Sequence, residues 1–323
     1  MPAIPAPSTT EAPGPPRPAG PPESAAEPAP RSGGLAAGLV REARPKQWVK
    51  NVLVLTAPLA AGKIGHAATV RDGAIALAAF CLAASAVYYA NDSFDVEADR
   101  QHPKKRFRPI AAGIIPIRLA WVMVALLSAA AVAVGFAANG ATAAVIGFYI
   151  AMHLAYSAWF KHVAVVDLVM VAAGFLLRAM VGGIAAGLPL SQWFLLTTGF
   201  GSLFMVAGKR YSEMVLMGEE AASTRKSLAA YSKSYLRFVW QMAAGLTMLT
   251  YAEWASILDA GHHQIAWHEI SIVPWCLVFL RYALLVDRGK AGEPEDVVLG
   301  DRMIKIVGAL WLVCFTLGVF NVR

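Results

Sequence analysis

A chain of 323 residues that is 57% hydrophobic and only 15% charged, with mean hydropathy +0.53, is too apolar for a soluble globular domain. Its net charge of +7 comes without any aromatic-basic RNA or DNA module, so nucleic acid is not an expected partner. The three cysteines, Cys81, Cys276 and Cys314, lie in apolar runs without metal-ligand spacing and read as small buried hydrophobes, not a disulfide framework.

The first forty residues hold 11 of the 19 prolines, interspersed with Ala, Ser and Glu. Such a composition cannot bury apolar surface, so residues 1–40 are expected to be a disordered tail, followed by a membrane domain over 41–323. No basic stretch followed by an apolar core opens the chain, so no secretory leader is expected. Hydropathy predicts nine membrane helices near 49–65, 72–91, 118–138, 141–159, 163–186, 191–208, 236–258, 270–286 and 303–321. The first is short and carries Pro58. The expected fold class is therefore all-α integral membrane, with about nine transmembrane helices around a central cavity open to the cytoplasm. A cytoplasmic N-terminus puts 24 of the 28 Lys and Arg residues on the cytoplasmic side. That bias predicts a multi-pass protein of the cell (inner) membrane, with the polar loops 91–117 and 208–235 cytoplasmic. The two loops follow the second and sixth helices, as two related halves sharing one site would have them.

The first loop carries the most distinctive pattern. Residues 91–109 hold four acids and five bases. Asp92, Asp95 and Asp99 are spaced i, i+3, i+7, which on a helix puts them on one face. Carboxylates so placed repel unless a cation lies among them, and with Asn91 they form an oxygen-rich set suited to Mg²⁺. Lys104, Lys105, Arg106 and Arg108 then offer donors to phosphate. A solvated positive loop would account for these bases but not for the periodic acids. His102, before Pro103, is read as shaping the turn.

Elsewhere, Arg44-Pro-Lys46-Gln-Trp48-Val-Lys50-Asn51 sets cations beside an interfacial Trp, and Lys46, Lys50 and Asn51 are candidates for phosphate contact at the cavity mouth. Tyr156 and Lys161 close the fourth helix as weaker candidates. Arg178 lies mid-span, where an unpaired charge is costly, so a ligand phosphate or Asp167 is expected to partner it; Gly182 and Gly183 beside it allow close packing or room for substrate. The second loop opens Gly208-Lys209-Arg210-Tyr211-Ser212-Glu213, two cations, a phenol and a carboxylate suited to a phosphate and a hydroxylated group. Arg225, Lys226 and Lys233 fit a solvated amphipathic stretch. No Ser/His/Asp arrangement, P-loop, GxGxxG or zinc spacing is present.

Nine helices with N-D-x-x-D-x-x-x-D after the second resemble the UbiA superfamily of intramembrane prenyltransferases, over about residues 41–321. The resemblance implies that Asn91, Asp92, Asp95 and Asp99 are Mg²⁺-diphosphate ligands. Members with prenyl diphosphate donors usually carry a second D-x-x-x-D after helix six, where this chain has Lys209 to Glu213. Loss of acid and gain of base there suit a donor with an additional phosphate. Together, Arg44 to Asn51, His102 to Gly113 and Gly208 to Tyr211 resemble a branch that transfers 5-phosphoribose from 5-phosphoribosyl 1-pyrophosphate to a polyprenyl (decaprenyl) phosphate. That branch leads towards decaprenylphosphoryl arabinose for cell-wall arabinan. A Mg²⁺-dependent displacement with inversion at C1 is expected, with Asp92, Asp95 and Asp99 at the metal and Arg178, with Lys46 or Lys50, orienting the incoming lipid phosphate as catalytic groups. Lys209, Arg210, Tyr211 and Glu213 would hold the 5-phosphate and ribose. The acceptor already carries a phosphate with second pKa about 6, so no strong general base is required. The alternatives are a prenyltransferase acting on an aromatic acceptor, and a transporter of a phosphorylated solute. Membrane lipid is an expected neighbour, and a homo-oligomer is compatible with the sequence.

Overall fold

The computed structural model describes residues 34–217, 228–260 and 265–320. Every regular element among them is helical, as long apolar runs in lipid require, since a helix satisfies all of its own backbone groups. Helix α1 (Leu35–Glu42) begins inside the stretch expected to be tail, and an eleven-residue 3₁₀ segment (Pro45–Leu55) leads into the short α2 (Thr56–Ala60). The long helices follow: α3 (Ala67–Phe94), then after the short α4 (Val96–Gln101), α5 (Ile117–Ala138), α6 (Gly140–Ala158), α7 (Val166–Ala185) and α8 (Gln192–Met217). After these come α9 (Lys233–Asp259), α10 (Trp267–Asp287), the short α11 (Pro294–Gly300) and α12 (Arg302–Val319).

Eight long helices thus occupy the last eight of the nine expected positions. Six of them, α3, α5, α6, α7, α10 and α12, are long and apolar enough to cross a membrane. The chain is therefore a multi-pass membrane protein. In α8 and α9 the Thr, Ser, Gly and Gln content dilutes the apolar signal.

The expected first span, 49–65, is not one helix. Its 3₁₀ stretch and α2 press against α7 so closely that a Cβ on Gly182 would lie 1.7 Å from the Val54 carbonyl oxygen, and one on Gly183 would lie 3.1 Å from Ala57 Cβ. The glycine pair is there for packing. A 3₁₀ run this long is unusual and marks a segment whose path is set by its contacts.

The two largest of four apolar clusters among the described residues share α7. One gathers α3, α5, α6, α7 and Val54 around Phe80, Ile146 and Tyr149; the other gathers α7, α8, α9 and α10 around Phe204, Tyr211 and Trp240. Asn139 ties two helix ends together. Its Oδ1 accepts the Thr142 N–H at 2.8 Å, capping α6, while its Nδ2 donates to the Ile184 and Ala185 carbonyls at 3.0 and 3.1 Å, closing α7.

The polar loops are shorter than expected. Residues 208–217 continue α8, and Lys233 opens α9; Arg225 and Lys226 lie outside the described residues, as does the tail through Gly33. In the first loop α3 stops at Phe94. Asp95 takes φ −96° and ψ 6°, and α4 restarts at Val96.

Candidate active site

The site is built where α1 and the 3₁₀ segment dock on the end of α3. Tyr89 donates to the Leu39 carbonyl at 2.7 Å, Ser85 to the Ala43 carbonyl at 2.9 Å, and Trp48 Nε1 to Ser85 Oγ at 3.1 Å. Between α1 and the 3₁₀ segment Arg44 adopts φ 52°, ψ 57°. That left-handed conformation costs a non-glycine residue about 1–2 kcal/mol, and such strain concentrates at functional sites. It directs the Arg44 guanidinium over the Tyr88 ring, 4.7 Å from its centroid, and onto the Asp92 carboxylate.

Asp92 and Asp99 are buried, and one nitrogen serves both. Arg108 Nη1 donates to Asp92 Oδ1 at 3.1 Å and to Asp99 Oδ2 at 2.7 Å. Lys105 Nζ stands 4.0 Å from Asp99. Burial pushes the Asp99 carboxyl above its usual range, against the pull of Arg108. The turn that delivers Arg108 is organised by His102, whose Nδ1 accepts the Lys104 and Lys105 N–H groups at 3.2 Å each. Asn91 lies alongside, accepting from Ser157 at 3.3 Å and donating to Asp92 at 3.4 Å.

The expectation that three aspartates share one helix face is corrected here. The break at Asp95 turns that carboxylate away to Lys161, which pairs with it. Among the described residues, no three acidic, His or Cys side chains converge to cage an ion.

Glu42, the last residue of α1, joins the site in place of Asp95. It is only 1% exposed and neither carboxylate oxygen has a hydrogen-bond donor. Burial, then the charge of the neighbouring Asp92, push its carboxyl up to about 8 despite Arg44 and Arg108. A cavity of about 250 Å³ opens over this group, lined by Arg41, Glu42, Arg44, Asp92, Lys104 and Arg108, with Phe107 and Pro109. Neither Glu42 nor Arg44 was among the sequence candidates. Nothing in the local pattern of α1 marks Glu42; only the fold brings it to Asp92.

This donor chemistry fits a hard divalent cation. Two buried carboxylates close enough to share one Arg108 nitrogen suit Mg²⁺ held by a few protein oxygens and completed by substrate phosphate and water.

Arg178 is elsewhere. Its Nε donates to Asn51 Oδ1 at 2.9 Å, Nη1 to the Gly174 carbonyl at 2.7 Å and Nη2 to Tyr149 at 2.7 Å, and its guanidinium lies within 5.6 Å of the Phe80, Tyr149 and Phe175 ring centroids. Asn51 in turn donates to Cys81 Sγ at 3.3 Å. Cys81 precedes Asp92 by eleven residues on α3, about 16 Å of helical rise. Arg178 and Asn51 thus form a brace that holds the 3₁₀ segment to α7, next to Cys81 and about three turns of α3 from Asp92. Asp167 is not its partner.

Asp167 instead forms a fully buried ion pair with Arg210 at 2.8 Å and accepts from Tyr231. The rest of the α8 run is similarly engaged. Lys209 pairs with Glu293 at 3.1 Å, and Tyr211 accepts from Arg237 at 2.6 Å. Glu213 is half-buried on the same helix. The expected open cationic loop is corrected to a helical stretch whose two cations bind protein carboxylates. Lys46 and Arg106 are exposed, Lys50 and Tyr156 half-buried.

The sequence profile of the UbiA prenyltransferase family matches residues 52–319. The chain belongs to the UbiA prenyltransferase family. A Corynebacterium glutamicum relative named decaprenyl-phosphate phosphoribosyltransferase is 49% identical over 293 residues, covering 88% of each chain. Its namesake from Mycobacterium tuberculosis is 47% identical over 282 residues, covering 86% of this chain and 93% of its own. Among solved structures, a UbiA homolog from Archaeoglobus fulgidus bound to GPP and Mg²⁺ has a TM-score of 0.65 at 17% identity, covering 88% of this chain and all of that one. At that identity the likeness concerns the UbiA fold.

Proposed function

We propose that this chain transfers 5-phosphoribose from 5-phosphoribosyl 1-pyrophosphate to decaprenyl phosphate or a similar polyprenyl phosphate, releasing pyrophosphate at the cytoplasmic face of the cell membrane. The observation that carries this reading is the 49% and 47% identity, over nearly all of the membrane domain, to proteins named for that reaction. The site chemistry supports it. The cavity has both acids and an excess of arginine and lysine at its rim, as a donor with two separate phosphorylated ends requires.

Asp92 and Asp99 are the residues that would hold Mg²⁺, with Asn91 orienting Asp92. Magnesium there supplies positive charge to the departing pyrophosphate. Arg44 and Arg108 present planar guanidiniums to the pyrophosphate oxygens, a bidentate geometry that fixes the donor's orientation. Lys104 and Arg41, at the cavity wall, and Arg106 beside it receive the 5-phosphate. As the C1–oxygen bond breaks, the ribose gains oxocarbenium character. The lipid phosphate attacks from the opposite face, inverting C1, and Lys46 and Lys50 on the 3₁₀ segment steer it. That nucleophile is already ionised, so no side chain must remove a proton from it. Lys161 keeps Asp95 neutralised at the rim.

The deciding experiment supplies the purified chain with labelled phosphoribosyl pyrophosphate and polyprenyl phosphate, and separately with geranyl diphosphate and an aromatic acid. Labelled lipid in the first mixture alone is expected. Product only in the second would replace this reading with prenyl transfer to an aromatic acceptor.

A further inference from the structure

Glu42 poses a problem that the rest of the site does not solve. It is 99% buried by exposure, both of its oxygens lack a donor, and it sits beside another buried carboxylate, Asp92. A carboxyl buried there is costly to ionise unless it meets a cation. The nearby cations relieve it only in part. Arg44 donates to Asp92, and Arg108 divides one nitrogen between Asp92 and Asp99.

Its placement is nonetheless firmly enforced. Helix α1 lies so close to the loop that a Cβ on Gly38 would be 2.8 Å from Ile114 Cγ2, and Tyr89 holds the Leu39 carbonyl one turn before Glu42. The strained Arg44 follows two residues later. The structure therefore fixes Glu42 in the wall of the same cavity that Asp92, Lys104 and Arg108 line.

We propose that Glu42 is a ligand of the divalent cation, so that the ion is gripped between α1 and α3 by Glu42 and Asp92, with pyrophosphate oxygens and water completing its shell. This rests on the reading that Asp92 belongs to a magnesium site, and adds a ligand from outside the aspartate motif. Mg²⁺ commonly takes only one or two protein carboxylates plus substrate phosphates. A ligand on α1 also gives that helix a function: metal binding would fasten it over the donor.

The test uses the full chain in detergent and measures Mn²⁺ binding by electron paramagnetic resonance with inorganic pyrophosphate present, without turnover. The wild type is expected to bind, Glu97→Gln to match it, and Glu42→Gln to bind at least about tenfold more weakly, the smallest effect seen even for outer-shell partners of a metal. Glu42→Cys provides a readout that a merely structural role would not move. With Cd²⁺ and pyrophosphate it is expected to show a thiolate-to-cadmium absorption band absent from the wild type, and it decides the matter alone if Glu42→Gln does not fold. Wild-type affinity in Glu42→Gln together with no new band in Glu42→Cys would overturn the assignment of Glu42 while leaving the Asp92 site intact. Failure of the wild type to bind Mn²⁺ would overturn both.

Discussion

Gly182→Ala perturbs the closest approach in the bundle. The added Cβ would lie 1.7 Å from the Val54 carbonyl oxygen and 3.2 Å from Val54 Cγ1, where separations under 3.0 Å essentially never occur. The 3₁₀ segment must therefore retreat by about 1.3 Å, and it must do so as backbone, since no side-chain rotation moves that oxygen. Overpacking of this kind costs about 1–3 kcal/mol, and a main-chain clash belongs at the upper end. At roughly 2–4 °C per kcal/mol, thermal unfolding in detergent should fall by roughly 5–10 °C. The consequence reaches further than stability. Asn51 lies three residues before Val54 and holds Arg178 at 2.9 Å, so the shift loosens the brace and with it the segment bearing Lys46, Lys50 and Arg44. Turnover of phosphoribosyl pyrophosphate should drop along with the melting temperature, whereas Gly147→Ala, with open space around its Cβ, should change neither. A Gly182→Ala protein with wild-type melting and turnover would refute the reasoning.

Arg108→Met removes the donor shared by Asp92 and Asp99, and kcat/KM should fall by about 100-fold or more in a phosphoribosyl-transfer assay. Lys104→Ala should raise KM for the donor, while Lys209→Ala, whose ammonium is engaged by Glu293, should leave that KM unchanged; steady-state kinetics separates the two. Arg210→Met strands the buried Asp167 and should destabilise the fold by about 3–5 kcal/mol, read as a lower melting temperature. Hydrogen bonds from Arg281, then from the Ile304 N–H, hold the Asp301 carboxyl at about 2. A depressed folded pKa stabilises above the unfolded value of about 3.9, and that gain disappears as pH falls through about 2. Asp301→Asn should accordingly melt below the wild type at pH 7, with the gap closing between about pH 4 and pH 2.

Long apolar runs carried most of the fold. From α3 to α12 each long helix lies within a few residues of its hydropathy peak, because in lipid the backbone has no alternative to a helix. The first span escaped because Val54, Ala57 and the polar Asn51 make a contact with α7 that only the assembled bundle reveals. In the site, the motif around Asp92 and Asp99 was legible from spacing, yet spacing assumed an unbroken helix and so misplaced Asp95. Arg178 drew attention as an intramembrane charge, but its partners, Asn51, Tyr149 and a carbonyl, are neutral acceptors that no charge pattern announces. The cations after helix six looked free because Glu293 and Asp167, which engage them, are 84 and 43 residues away in sequence. Glu42 was invisible for the same reason: an ordinary glutamate on a short helix becomes significant only through burial against a neighbour fifty residues on.

Mass spectrometry of the lipid fraction tests the central claim most directly, after purified chain is incubated with phosphoribosyl pyrophosphate, polyprenyl phosphate and Mg²⁺, with and without prior chelation. A lipid heavier by one phosphoribosyl unit, formed with stoichiometric pyrophosphate and lost on chelation and in Asp92→Asn, is the expected result. Unmodified lipid under full metal, or equal product after chelation, would contradict the account.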